Sequence, residues 1–122
     1  MLTAQEAIDR LKKGNQRFVN GETQHLKLLS HQQRAEMAES QEPFAIVLGC
    51  SDSRVPAEMV FDQGLGDLFV IRVAGNIVAP SQVGSVEFAA DSFGCPVVIV
   101  LGHTHCGAIH STIEALTNPA TP

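Results

Sequence analysis

Three residues of this sequence carry side chains that bind soft metal ions: Cys50, His103 and Cys106. His103-Thr104-His105-Cys106 sets a histidine and a cysteine three positions apart, where an apolar run gives way to a helical pattern. Two ligands at that spacing can converge on one ion, and a helix N-terminus favours thiolate over thiol. Alone, the pair is a weak signal. Cys50 follows another apolar run and offers a third ligand from a neighbouring strand end. A Cys2His set leaves zinc one open position for water or substrate, the pattern of catalytic rather than structural sites. The bland alternative is two buried thiols and a turn histidine, which requires three soft ligands to meet by accident.

Beside Cys50 stands a second pair. In Cys50-Ser-Asp52-Ser-Arg54 a carboxylate and a guanidinium lie two apart on a tight loop, a spacing that suits a bidentate pair. Such a pair would keep Asp52 ionised and aimed at the open position. Asp52 could equally turn and become a fourth ligand, closing the site, or the two could form an ordinary loop salt bridge of little energetic worth. His105 lies next to the ligands and could relay a proton, although a lone loop histidine is more often only solvated. His25, His31 and His110 read as surface histidines, and Cys95 as a small buried residue.

Positioning these residues requires a sheet. Three apolar runs, from Phe44 to Gly49, Leu68 to Val73 and Val97 to Gly102, read as buried parallel strands. Between the second and third, residues 81–94 predict a helix with Val83, Val86 and Ala90 on one face and Gly94 as its C-cap. Cys106 to Leu116 predicts another, stopped at Asn118-Pro119. Upstream, Thr3 with Glu6 makes a capping box for a helix to Val19 with Ile8, Leu11 and Phe18 as its apolar stripe. Ser30 with Gln33 makes another, for a helix to about Glu39. The fold class is α/β, a parallel β-sheet core flanked by helices, with one domain over 1–122, a helical arm at 1–40 and the core at 44–116. In such sheets the ligand crevice lies beyond the carboxyl ends of strands, where Cys50 and His103 stand.

Composition narrows the class further. An apolar content of 44% over 122 residues suits one packed core. A net charge of −5 with no basic cluster argues against nucleic acid or an anionic membrane as partner. Three cysteines are an odd number, which reads as thiols of a reducing compartment rather than a disulfide framework. The cytoplasm is the default expectation, or the periplasm if a signal peptide was removed.

Four blocks in order resemble the signatures of the β-class carbonic anhydrases: Cys50 to Glu58, Gly66 to Arg72, Gly84 to Phe88, and Gly102 to Ala108. With Leu11 to Phe18 they span nearly the whole chain, and the match is very specific. The resemblance implies reversible hydration of carbon dioxide to bicarbonate and a proton. It implies Zn2+ on Cys50, His103 and Cys106, with Asp52 and Arg54 as a catalytic dyad. Zinc lowers the pKa of bound water to about 7, so the expected nucleophile is a zinc-bound hydroxide. By position, Gln41 resembles a hydrogen-bond donor to substrate, Phe69 a pocket-lining aromatic and Ala74 a small apolar wall. Phe88 stands where many members have tyrosine. The family also implies a homodimer or dimer of dimers, with Gln41-type and aromatic residues reaching the zinc across the interface. Family members continue for many tens of residues past the helix after Cys106, so this chain is short at the C-terminus and C-terminal elements are missing by comparison. Two other readings remain: a non-catalytic zinc-binding form, and a hydrolase of a related heterocumulene such as carbon disulfide or carbonyl sulfide.

Overall fold

The computed structural model describes residues 1–24 and 30–118. His25, read as a surface histidine, and Pro119, read as a helix stop, lie outside the described residues. Helix α1 (Ala4–Val19) begins as expected: Thr3 Oγ1 accepts from the Glu6 N–H, and Glu6 accepts from the Thr3 N–H. Its buried face is Ala7, Leu11 and Gly14; Phe18, assigned to the stripe, stays 38% exposed. The small residues allow close approach, for a Cβ on Gly14 would overlap the Phe61 carbonyl oxygen.

Helix α2 (His31–Glu36) carries the capping box of Ser30 and Gln33 but ends before Glu39. No residue of it is buried, so packing does not extend it. Its end tightens into i→i−3 bonds from Met37 to Arg34 and from Ala38 to Ala35.

The sheet is parallel, in the order β2-β1-β3, with β1 (Ala45–Gly49) central, β2 (Leu68–Arg72) on one side and β3 (Val98–Val100) on the other. The central strand is buried along its whole length, as its unbroken apolar run requires. The third strand departs from expectation. It is only three residues long, and Val98 and Val100 are exposed. An apolar run alone does not separate a central strand from an edge one.

Helix α3 (Ala57–Val60) and a single 3₁₀ turn (Ala74–Asn76) carry no periodic pattern and were not anticipated. Helix α4 (Pro80–Phe93) ends on Gly94 in the left-handed conformation, as predicted. Its inner face differs from the predicted one: Ala89 is buried, with Val86 and Phe93 beside it against Ile46, Leu48 and Ile71, while Val83 and Ala90 are exposed. Both stripes have helical spacing, and docking on the sheet chooses between them. Helix α5 (Gly107–Thr117) follows with Cys106 as its N-cap rather than its first residue. Two apolar layers sandwich the sheet, one of Ala7, Leu11, Phe44, Val47 and Leu68, the other of Ile46, Leu48, Ile71 and Ala89.

Candidate metal centre

Two loops leave the carboxyl ends of adjacent parallel strands and meet. Cys50 follows β1, and His103 to Cys106 follow β3, its neighbour. The Cys50 sulfur, a His103 ring nitrogen and the Cys106 sulfur all lie within 4.8 Å of one another. The two sulfurs are 3.9 Å apart, and all three cysteines are free thiols.

These donors fit a soft divalent metal. His103 Nδ1 lies 2.7 Å from the Thr104 carbonyl oxygen, which can only accept, so Nδ1 carries the proton. On the neutral ring that leaves the lone pair on Nε2, a buried atom with no hydrogen-bond partner among the described residues. An orphaned buried nitrogen beside two thiols is what a ligand looks like before its ion is added. In the metal-free chain the Cys50 thiol is already poised: a protonated His103 ring and the backbone N–H groups of Asp52 and Gly75 pull its pKa down to about 6. His103 in turn is raised, by Cys50 and by the Thr104 carbonyl.

Asp52 and Arg54 form the bidentate pair that their spacing suggests. Arg54 Nε lies 2.9 Å from Oδ1 and Nη2 lies 2.6 Å from Oδ2. These bonds, with that from the Arg54 backbone N–H, hold the Asp52 carboxyl well below the usual carboxylate range. Asp52 Oδ2 stands 3.9 Å from His103 Nε2, so the carboxylate is beside the three donors while its oxygens face Arg54. Arg54 Nη2 also donates to the His105 carbonyl at 3.0 Å, tying the two loops together. His105 sits at φ +57, a left-handed conformation that turns the chain between His103 and Cys106. Its ring is on the exposed side of the turn, and the contact shown here runs through its carbonyl.

Of the other anticipated site residues, Gln41, Phe69 and Phe88 lie apart from this group, and Ala74 adjoins Gly75 beside it. Phe69 stacks with Phe88 and Phe93 at centroid distances of 5.9 and 5.8 Å, on the α4 side of the sheet, and Phe88 is half exposed. Ala74 opens the 3₁₀ turn and is exposed. Gln41 is exposed and lines a cavity of about 670 Å³ with Met37, Glu58, Gln63 and Leu65, none of them a donor of the centre. His31 and His110 are exposed, and Cys95 is half-buried with its thiol donating to the Pro43 carbonyl. Two contributors carried no assigned role in the sequence. The Gly75 N–H donates to the Cys50 sulfur at 3.3 Å, and the Arg72 guanidinium holds the carbonyls of Cys50 and Asp52. The detectable signal for Arg72 is a lone charge closing the apolar run of β2, opposite the end of the strand that carries Cys50.

Comparison with known proteins agrees with this layout. Residues 45–121 match the family model described as carbonic anhydrase. Carbonic anhydrase 2 of Mycobacterium tuberculosis is 46% identical over 112 residues, which cover 92% of this chain and 54% of that protein. The chain thus spans about half the length of these curated relatives. Among solved structures, the β-carbonic anhydrase CcaA is 31% identical with a TM-score of 0.66, over 93% of this chain and 56% of that one. A structure described as one of two tetrameric β-carbonic anhydrases from Sordaria macrospora is 25% identical with a TM-score of 0.62, over 87% and 53%. With the parallel sheet, the ordered sequence blocks and the matched residues all in agreement, the chain belongs to the β-class carbonic anhydrase family.

Proposed function

We propose that this chain hydrates carbon dioxide reversibly to bicarbonate and a proton, with Zn2+ held by Cys50 Sγ, His103 Nε2 and Cys106 Sγ. The observation that carries this reading is the meeting of three soft donors with an ionised carboxylate 3.9 Å from one of them. When bound, zinc supplies Lewis acidity, which makes a coordinated water acidic enough to act near neutral pH. The chain's own residues do the rest. Arg54 keeps Asp52 deprotonated and fixed, so that the carboxylate can only accept a hydrogen bond and orients whatever donor faces it. Its bond to His105 keeps the second ligand loop in register with the first. His105 is offered as a proton relay because it lies between the ligands with its ring on the exposed side.

The substrate wall extends beyond one chain in this reading. Gln41 and the aromatic residues Phe69 and Phe88 serve the centre of a partner copy, in a homodimer or dimer of dimers, and Ala74 adds a small apolar wall. Support comes from the exposed apolar side chains of Phe88, Ile109 and Ile113, and from the tetrameric relative. Three free thiols favour a reducing compartment such as the cytoplasm. Metal analysis with a stopped-flow carbon dioxide hydration assay tests the proposal. One zinc per chain with hydration activity is the expected result. A chain that binds zinc and hydrates nothing would leave the non-catalytic reading, and turnover of carbon disulfide or carbonyl sulfide instead would leave the heterocumulene one.

A further inference from the structure

The geometry points to Arg72 as a positioning residue of the metal centre, acting through the main chain of Cys50 and Asp52 rather than on the donors themselves. Arg72 ends β2 opposite Gly49, the last residue of β1, and the Val73 N–H still donates to the Gly49 carbonyl at 3.0 Å. Beyond that point the ladder stops: the Asp52 carbonyl takes the Val55 N–H at 3.2 Å, and among the described residues the carbonyls of the Cys50 turn have no strand partner. Arg72 supplies one. Its Nε donates to the Cys50 carbonyl at 2.9 Å, and its Nη2 donates to the Asp52 carbonyl at 2.6 Å. A guanidinium fixes its donors in one plane, so the two carbonyls are held in a set relation. Fixing carbonyls at 50 and 52 fixes the directions in which the Cys50 thiol and the Asp52 carboxylate leave the chain. The segment that follows grips the same cysteine from its other end, through the Gly75 N–H on the sulfur. Cys50 is thus held at both its carbonyl and its sulfur from residues 72–75. Arg54 has a different task, since it bonds the Asp52 carboxylate directly.

This inference rests on the metal reading proposed above, and metal affinity tests it without any assay of turnover. Partners that orient first ligands in this way alter metal affinity by about 10- to 100-fold when removed. In the 122-residue chain, Arg72→Met is expected to weaken zinc binding at least tenfold in chelator competition, and to shift the visible bands of the cobalt-substituted protein. Arg72→Lys should also lose at least tenfold, because one ammonium cannot serve both carbonyls as a planar fork does. Arg10→Met is the control. Arg10 bonds Gln63 and stacks over Phe44, away from the donors, so its loss should lower thermal stability and leave zinc affinity unchanged.

Zinc affinity within tenfold of the parent in either Arg72 variant overturns the assignment, as does an equal loss in Arg10→Met. If Arg72→Met does not fold, the lysine variant decides by the same threshold. Failure of both to fold while Arg10→Met folds makes Arg72 a general structural residue and likewise overturns it. A parent chain that takes up no zinc overturns the metal reading and this inference with it, whereas zinc uptake that is indifferent to Arg72 overturns this inference alone.

Discussion

Arg54 reaches Asp52 Oδ1 from both its backbone N–H and its Nε, each at 2.9 Å, while its Nη2 takes Oδ2 at 2.6 Å. Three donors from one residue occupy one carboxylate. Removing the guanidinium leaves a carboxylate with a single backbone donor beside the three proposed metal ligands, free to turn toward an ion held there. Arg54→Ala is expected to lower carbon dioxide hydration by about 100-fold or more, with zinc content still near one per chain. Arg54→Lys should recover little, because a point charge cannot make the bidentate bond. Stopped-flow rates with parallel metal analysis check both, and a parental rate in Arg54→Ala makes the pair an ordinary salt bridge.

Cys106 sits at the N-cap of α5, one of three donors within 4.8 Å. Cys106→Ser should remove most bound zinc after dialysis, because a hydroxyl replaces a thiolate at one of the three proposed ligands. Undiminished metal in that variant rules out the ligand assignment.

The acidity of Cys50 makes a prediction about pH in the metal-free protein. Its pKa is lowered from 9.0 to about 6 in the folded chain. A lowered pKa stabilises the fold fully above the unfolded value, and that stability fades as pH falls from 9 through 6. His103 has the opposite sign: its raised pKa stabilises below 6.5 and is lost as pH climbs through the folded value. Thiolate absorbance near 240 nm should therefore appear with a midpoint near pH 6. The denaturation midpoint of the parent should gain on Cys50→Ser as pH rises from 5 to 7. A thiolate midpoint above pH 8 contradicts the arrangement of donors around the sulfur.

Gly14 faces the backbone of the Phe61 turn with no room for a side chain. Gly14→Ala gains helix propensity in the middle of α1, yet it must push α1 off that turn. Overpacking should win by about 1–3 kcal/mol of destabilisation, read from urea unfolding of the metal-free chain. A stabilised variant would mean that α1 can shift freely on the core.

Much of the centre was legible in the sequence because its donors stand just past apolar runs, and parallel strands deliver such positions to one edge. The capping boxes of Thr3 and Ser30 were legible for a similar reason, being local chemistry over four residues. What escaped depends on neighbours far along the chain. The inward face of α4 turned on how the helix docks against Ile46 and Ile71, so Ala89 was buried in place of Ala90. Val97 to Gly102 gave no sign of lying at an edge, since hydropathy does not count a strand's neighbours. The grip of Arg72 and Gly75 on Cys50 is made through a carbonyl and an N–H, groups every residue has, and side-chain types cannot announce it.

The short edge strand has a consequence for how the molecule opens. Cys50 hangs from a strand buried on both faces, whereas His103 and Cys106 hang from three paired residues at the margin of the sheet. Native-state fluctuations concentrate where few buried contacts resist them. Without an ion, the amide protons bonded across the β1–β3 seam should therefore exchange for deuterium early, while those between β1 and β2 remain protected until the whole chain unfolds. An ion joining the three donors would act as a clasp across that seam, adding its binding free energy to the closed state. The amide of Phe44, which donates to Asp67 on the β2 side, would then hardly notice the metal, while those of Ile46 and Leu101, which donate to Val97 and Leu48 across the seam, would slow most.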